Sequence, residues 1–415
     1  MRLLHTSDWH LGATLGVVSR DAEHERFLKW LLGILASERV DALLIAGDIF
    51  DAASPPATAQ RLYYDFLAQC HAQLPKLDVV IIGGNHDSAG RLDAPADLLN
   101  AFRVRVIGGV PRQASKSLDL DRLLVPLTDA NGETAAWCVA MPFIRPFDVS
   151  ASESFIQGVT ALYAECFDAA DRKRQPGQAL VAMGHAFMVG GAVSDTERSI
   201  QRGNLDALPV ELFRDDVAYV ALGHLHKAQV VAGRECIRYS GSPLPLSLTE
   251  RNYRHQVVVV DLDGERIAGV TPLSVPRARH LQRIPEQGAA LLQDALNALR
   301  QLPDQADDQN RLPPLVAVHV QLNQPQPTLK ADIDSAAEGK WAEIIAIQAT
   351  YPQQDGAPLA AALNQNLPDR QPSDVFRQCY QAKYDGEPPP SLQKAFATLL
   401  EQVQQEPPPE TLPSP

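Results

Sequence analysis

The chain has 415 residues, of which 45% are hydrophobic and 21% charged, and its net charge is −13. That length supports two or three domains whose cores need no staples. The acidic balance excludes a nucleic-acid binder that works alone through a basic patch, because phosphate contacts need clustered Lys and Arg. From residue 276 onward 11 basic face 17 acidic side chains, and before it 26 face 33, so neither part is basic.

The five cysteines (Cys70, Cys138, Cys166, Cys236, Cys379) form no CxxC pair, and their odd, scattered placing reads as reduced thiols in a cytoplasm. The opening MRLLHTSDWH puts polar residues where a signal peptide needs an apolar run. No apolar run approaches the roughly 20 residues a bilayer requires. The expected location is therefore cytoplasmic, without membrane attachment.

Residues 1 to about 275 repeat one pattern, a short apolar run closed by Gly and polar residues. LLHTSD, ALLIAGD, VVIIGGNHD, ALVAMGH and VAYVALGH are the clear cases. Such Val/Ile/Leu-rich runs read as buried strands. Asp21 to Arg39 fits a first helix, with Phe27, Leu28, Leu31, Ile34 and Leu35 on one stripe. Ser54-Pro55-Pro56 marks the start of a second, followed by Leu62, Tyr63, Phe66 and Cys70 at helical spacing. Strands alternating with helices predict a layered α/β core.

Proline content rises sharply afterwards, with 19 of 32 prolines lying from Pro276 onward. Residues 276–352 read as a smaller α/β unit, with strands at LVAVHVQL and AEIIAIQAT and a helix over 288–301. Residues 353–405 carry two short amphipathic helices. One presents Val375, Phe376, Cys379 and Tyr380; the other presents Leu392, Phe396, Leu399, Leu400 and Val403. Short helices need a packing partner, either their own domain or another protein. The tail, 406–415, is expected to be disordered.

Five strand ends deliver metal-ligand residue types: Asp8-x-His10, Gly47-Asp48, Gly84-Asn85-His86-Asp87, Gly184-His185 and Gly223-His224-x-His226. Sites in α/β sheets form outside the strand carboxyl ends, so five such ends can converge. Each motif alone is weak, since DxH and GD often occur as ordinary turns. Together they describe a two-cation site, which needs bridging anionic oxygen and several neutral donors. Mixed N/O ligation of this kind suits Mn, Fe or Zn better than Mg or Ca. The other six histidines (His5, His24, His71, His255, His280, His319) lack this setting and read as structural or surface residues.

DxH, GD, GNHD, GH and GHxH together resemble the calcineurin-like metallophosphoesterase superfamily. HTSDWHLG, AGDIFD, GGNHDSAGRL, ALGHLHKAQ and YSGSPLPLS are similar, more narrowly, to its SbcD family of bacterial nuclease subunits. The resemblance covers 1–275 in motif and the remainder in architecture. It implies a metallophosphoesterase β-sandwich core flanked by helices (1–275), a capping domain (276–352) that helps select DNA ends, and C-terminal helices (353–405) that grip an SbcC-type ATPase. It further implies two divalent ions, Mn before other metals, and a homodimer within a heterotetramer.

Residue by residue, the resemblance places Asp8, His10 and His226 on one metal and Asn85, His185 and His224 on the other, with Asp48 bridging. His86 matches the histidine that acts on the substrate, and Asp87 is placed to orient it. Asp51 stands where archaeal and eukaryotic relatives have a second histidine. Lys227, Arg91 and Arg20, beside the motif loops, are candidates for DNA phosphate contacts. The implied activity is Mn-dependent hydrolysis of DNA, as 3′–5′ exonuclease on duplexes and endonuclease on single strands and hairpins. A phosphatase for small phosphoesters or phosphoproteins is the alternative on the same chemistry, and a non-catalytic scaffold is a second.

Overall fold

The computed structural model describes residues 1–149, 154–191, 207–304 and 311–351, with scattered positions between 376 and 396. The chain divides into two compact units. One comprises Met1–Arg283, Pro303–Ala317 and Gly339–Ala346; the other comprises Ile284–Leu302, Val318–Glu338 and Ile347–Pro415.

Two six-stranded sheets form the body of the first unit. Strands β1 (Arg2–Thr6), β2 (Ala42–Ala46), β3 (Asp78–Ile82) and β4 (Val104–Ile107) run parallel in that order, as their unbroken apolar runs predict. The second sheet is built from β5 (Leu124–Thr128), β6 (Thr134–Ala140), β7 (Ala179–His185), β8 (Val217–Gly223), β9 (Gln229–Val231) and β10 (Arg234–Tyr239), in the order β9-β10-β8-β7-β6-β5. Antiparallel β11 (Gln256–Asp263) and β12 (Arg266–Ser274) complete the first sheet beside β1.

Strand alternation explains the layering. Leu3, Leu44, Val80 and Ile82 face a core shared with Val139, Val181 and Val220 of the second sheet. Their neighbours Leu4, Leu43, Ile45 and Val79 turn to the opposite face, under two helices. Those helices are α1 (Asp21–Ser37) and α2 (Ala57–Gln73), which begin where the apolar stripe from Asp21 and the Pro55-Pro56 signal predict. Phe27, Leu31 and Leu35 of α1 and Tyr63 and Phe66 of α2 fill this outer core. Helix α3 (Phe155–Lys173) covers the other sheet through Val159, Tyr163 and Phe167, so the β-sandwich flanked by helices is as expected.

His5 sits between the sheets, with Nδ1 2.9 Å from the Tyr219 hydroxyl and Nε2 3.1 Å from the Leu222 carbonyl. It is one of the structural histidines. His24 and His255 are buried likewise, whereas His71 and His280 are exposed. Cys70, Cys138 and Cys166 are buried, unpaired thiols. No helix among the described residues is long and apolar enough to cross a membrane.

In the second unit, Ala290 pairs in parallel with Val320, and helix α4 (Leu292–Arg300) packs on α5 (Leu329–Ala337). The helix expected over 288–301 thus starts four residues later, because Ala290–Leu291 is drawn into a strand. Most of residues 353–405, and all of the expected tail, lie outside the described residues. Among the described positions, Phe376 stacks on Phe396 with ring centroids 4.2 Å apart.

Candidate metal centre

The two sheets deliver their strand ends to one place. Asp8 and His10 follow β1, Asp48 follows β2, Asn85 and His86 follow β3, His185 ends β7, and His224 and His226 follow β8. Beyond the regular sheet the first two loops stay zipped together: Asp8 N–H donates to Gly47 O (3.0 Å) and His10 N–H to Asp48 O (3.0 Å). Asp8, His10, Asp48 and His224 all adopt positive φ (53°, 49°, 50° and 105°), a backbone region costly for non-glycine residues. Such strain clusters where function holds side chains in place.

The side chains converge closely. Asn85 Oδ1 lies 3.0 Å from His185 Nε2 and 2.9 Å from His224 Nδ1. Asp48 Oδ2 lies 3.2 Å from His185 Nε2 and 3.6 Å from His10 Nε2. The rings of His10 and His226 stand 5.2 Å apart, and those of His185 and His224 5.3 Å. Asp8, His10 and His226 form one group of potential ligands, and Asp8, Asp48 and His185 another.

The outer partners select which ring nitrogen faces inward. His185 Nδ1 donates to Ala46 O (2.8 Å), His10 Nδ1 meets Asp51 Oδ1 (3.1 Å), and His226 Nδ1 meets Glu250 Oε1 (3.1 Å). For His185 and His10 this turns Nε2 toward Asp48. His10 Nε2 is buried without a hydrogen-bond partner, which is the mark of a group meant for something else. Asp8 is held on both oxygens, Oδ1 by the His224 N–H (2.9 Å) and Oδ2 by the Ser7 hydroxyl (2.5 Å).

The electrostatics favour cations. Burial works against a charged His185, but the adjacent Asp48 carboxylate outweighs it and pushes the imidazole up to about 9. Asp48 is correspondingly held well below the usual carboxylate range: burial opposes this, and His185 and His10 dominate. His224 is pushed down to about 3, by burial and then by the charge on His185. A deprotonated carboxylate grouped with imidazoles and an amide oxygen is a donor set for divalent metal, which on binding would displace the proton that Asp48 holds on His185. The residues present fit the group.

His86 lies half-buried beside these ligands, its ring 4.8 Å from that of His10. Its Nδ1–H donates to the Asp51 carbonyl (2.8 Å), and its main-chain N–H to Asp48 Oδ1 (2.9 Å). Asp87, expected to orient this ring, is engaged elsewhere. Its carboxylate accepts from Ile49 N–H (3.1 Å), Phe50 N–H (3.0 Å) and Gly84 N–H (2.8 Å), which ties the Asp48 loop to the Asn85 loop. Burial and the Asp48 charge push its carboxyl up to about 6.

Residues 1–228 match the family model for calcineurin-like phosphoesterases. The chain is 39% identical over 394 residues to the SbcD subunit of nuclease SbcCD from Rhodobacter capsulatus, covering 92% of this chain and 94% of the relative. This chain belongs to the SbcD family of calcineurin-like phosphoesterases. The SbcD subunit from Escherichia coli K12 is 30% identical, over 96% of this chain and 98% of its own length. The Bacillus subtilis protein of the same name is 33% identical over 63% of this chain and 66% of its own. Residues 277–384 match a second model, the type 5 capsule protein repressor C-terminal domain. The fold is thus the metallophosphoesterase fold, and the centre is a divalent-metal site of a metal-dependent phosphoesterase.

Within this SbcD frame, sequence reasoning missed Ser7, Ser240 and Glu250. Ser240 Oγ lies 2.8 Å from Ser7 Oγ and is part of YSGS, a segment that carried the resemblance without a role. Glu250, fully buried, sits in a 3-10 turn with no motif to announce it. Arg20 is a correction. It is 1% exposed, with its guanidinium on Glu23 (2.5 and 2.8 Å) and on Pro245 O (2.7 Å), so it cannot reach a DNA phosphate. Lys227 and Arg91 are exposed, as that role requires.

Proposed function

We propose that this chain is the nuclease subunit of an ATPase–nuclease complex, hydrolysing phosphodiesters at DNA ends and hairpins as a 3′–5′ duplex exonuclease and single-strand endonuclease. The convergence of Asp48, Asn85, His185 and His224 within hydrogen-bonding distances carries the hydrolytic reading. Near-full-length likeness to nuclease subunits supports the DNA substrate and the SbcC-type partner.

In this reading Asp8, His10 and His226 hold one divalent ion, Asn85, His185 and His224 hold the other, and Asp48 is shared. Mn is the metal proposed, since mixed imidazole and carboxylate donors suit it. When bound, the ions lower the pKa of the attacking water and neutralise charge on the phosphate oxygens. His86, fixed through Nδ1 by the Asp51 carbonyl, holds at Nε2 the proton destined for the leaving 3′ oxygen. Asp87 acts on the loops, keeping Asp48 and Asn85 in register through three main-chain amides.

Residues 276–352 are read as a capping domain and 353–405 as the ATPase-binding segment, within a cytoplasmic heterotetramer built on a homodimer. The acidic balance accords with a partner that supplies much of the DNA-binding surface. A phosphatase would have no use for a C-terminal region matched by its own family model.

The decisive assay mixes the purified chain with an SbcC-type ATPase, ATP, Mn and linear duplex DNA. Progressive digestion is expected. Intact DNA alongside rapid turnover of small phosphoesters would overturn the proposal in favour of the phosphatase.

A further inference from the structure

The two halves of the centre differ in what stands behind their histidines. His10 Nδ1 faces the Asp51 carboxylate at 3.1 Å, and His226 Nδ1 faces the Glu250 carboxylate at 3.1 Å. Glu250 has no exposed side-chain surface, and its other oxygen accepts the Leu246 N–H at 2.8 Å, so it is fixed in place. The other half is backed by neutral oxygen. His185 Nδ1 meets the Ala46 carbonyl at 2.8 Å, while the Asn85 oxygen near His224 Nδ1 and His185 Nε2 is a fellow donor at the centre rather than a group behind either ring. Apart from the shared Asp48, no carboxylate among the described residues hydrogen-bonds either ring.

A carboxylate behind a ligating histidine raises the basicity of the ring and fixes its tautomer, whereas a carbonyl fixes the tautomer alone. A buried negative charge close to the ion also acts through a medium of low dielectric. The Asp8 half adds a third device, the Ser7 hydroxyl on Asp8 Oδ2, backed by Ser240.

We infer that the two metal positions fill in order: the Asp8/His10/His226 position binds first and tightly, because Glu250 and Asp51 back its histidines with charge. The Asn85/His185/His224 position binds second and more weakly, so its occupancy follows the free divalent-metal concentration. Glu250 and Asp51 are positioning residues, acting through His226 and His10. The inference rests on the division of ligands proposed above.

Calorimetric titration of the chelated full-length chain with Mn(II), with free Mn followed by EPR, reads this directly. Two classes of site per chain are expected, and Asn85→Ala should remove the weak class alone. Glu250→Gln and Asp51→Asn should each weaken the tight class about tenfold or more and leave the weak class in place. Asp51→Asn retains the main-chain carbonyl that holds His86, and its half-exposed side chain makes it the safer variant should Glu250→Gln fail to fold. Two classes of equal affinity, or losses confined to the weak class, would overturn the ordering while leaving a dinuclear centre. Fewer than two ions bound by the unaltered chain would overturn the ligand assignment itself.

Discussion

A β-carbon on Gly47 would stand 2.2 Å from Nδ1 of His185, inside any allowed contact. The strand end carrying Asp48 and the one carrying His185 therefore approach as closely as backbone permits. Gly47 also has φ +88°, which disfavours any L side chain. Gly47→Ala is predicted to dislodge His185 from the Ala46 carbonyl. Metal titration should show at least one lost ion per chain, and phosphodiesterase activity should fall on the order of a hundredfold or more. A variant with full metal content and activity would show that the loop can yield.

His86 is predicted to behave differently from every ligand. It contacts the Asp51 carbonyl and the backbone frame, and it is proposed to move a proton rather than hold an ion. His86→Ala should retain both ions by elemental analysis yet lose roughly 10²- to 10⁴-fold in turnover, the usual worth of a general acid. His185→Ala should lose metal and activity together. If His86→Ala also sheds an ion, the histidine is a ligand.

The legible part of this site is the part written as local pattern. Gly-Asp48, Gly-Asn85-His86 and Gly-His224 follow apolar strands, and the glycines that bring those loops together sit one residue before the donors. What supports the donors is hidden, because support comes from distant segments. Glu250 reaches His226 across 24 positions with no characteristic spacing, and Ser240 reaches Ser7 across 233. Asp87 is visible in the motif, but its position beside His86 says nothing about two amides on the Asp48 loop and a third in its own. Arg20 misleads for a simpler reason. Proximity to a motif suggests a surface contact, while Glu23, three residues on at the start of α1, is available as a helix-spaced partner. For the fold, the alternation of strands and helices foretells the layers, but not that Ala290–Leu291 leaves its helix.

Arg20 leads to a stability prediction. It and Glu23 are both almost wholly buried, and Arg279 approaches the same carboxylate at 3.9 Å. Arg20→Ala should leave Glu23 under-compensated and cost roughly 3–5 kcal/mol in urea unfolding. Lys227→Ala, on the surface, should leave stability nearly unchanged. If Lys227 touches a phosphate, its removal should weaken DNA binding at low salt and reduce the salt slope by about one. Loss of DNA affinity in a fully stable Arg20→Ala protein would contradict the buried placement.

His5 and His24 give the fold a pH dependence of their own. Burial pushes both imidazoles down to about 3, against an ordinary value of 6.5, and the charge on Arg20 adds to the effect at His24. The unfolded chain therefore takes up protons below 6.5 that the folded chain refuses. This contribution to stability is fully present above pH 6.5 and shrinks as pH falls toward 3. Each histidine should remove about 1.4 kcal/mol per pH unit across that window. Measured in chelator, so that metal release plays no part, unfolding free energy should decline steadily from pH 6.5 to 5. His5→Gln can still donate to Leu222 O and accept from the Tyr219 hydroxyl, but it cannot titrate. Its curve should be shallower by about one proton's worth of slope. An unchanged slope would mean that His5 takes up its proton in the folded state, and with it that the hydrogen bond to Leu222 can survive charge between the sheets.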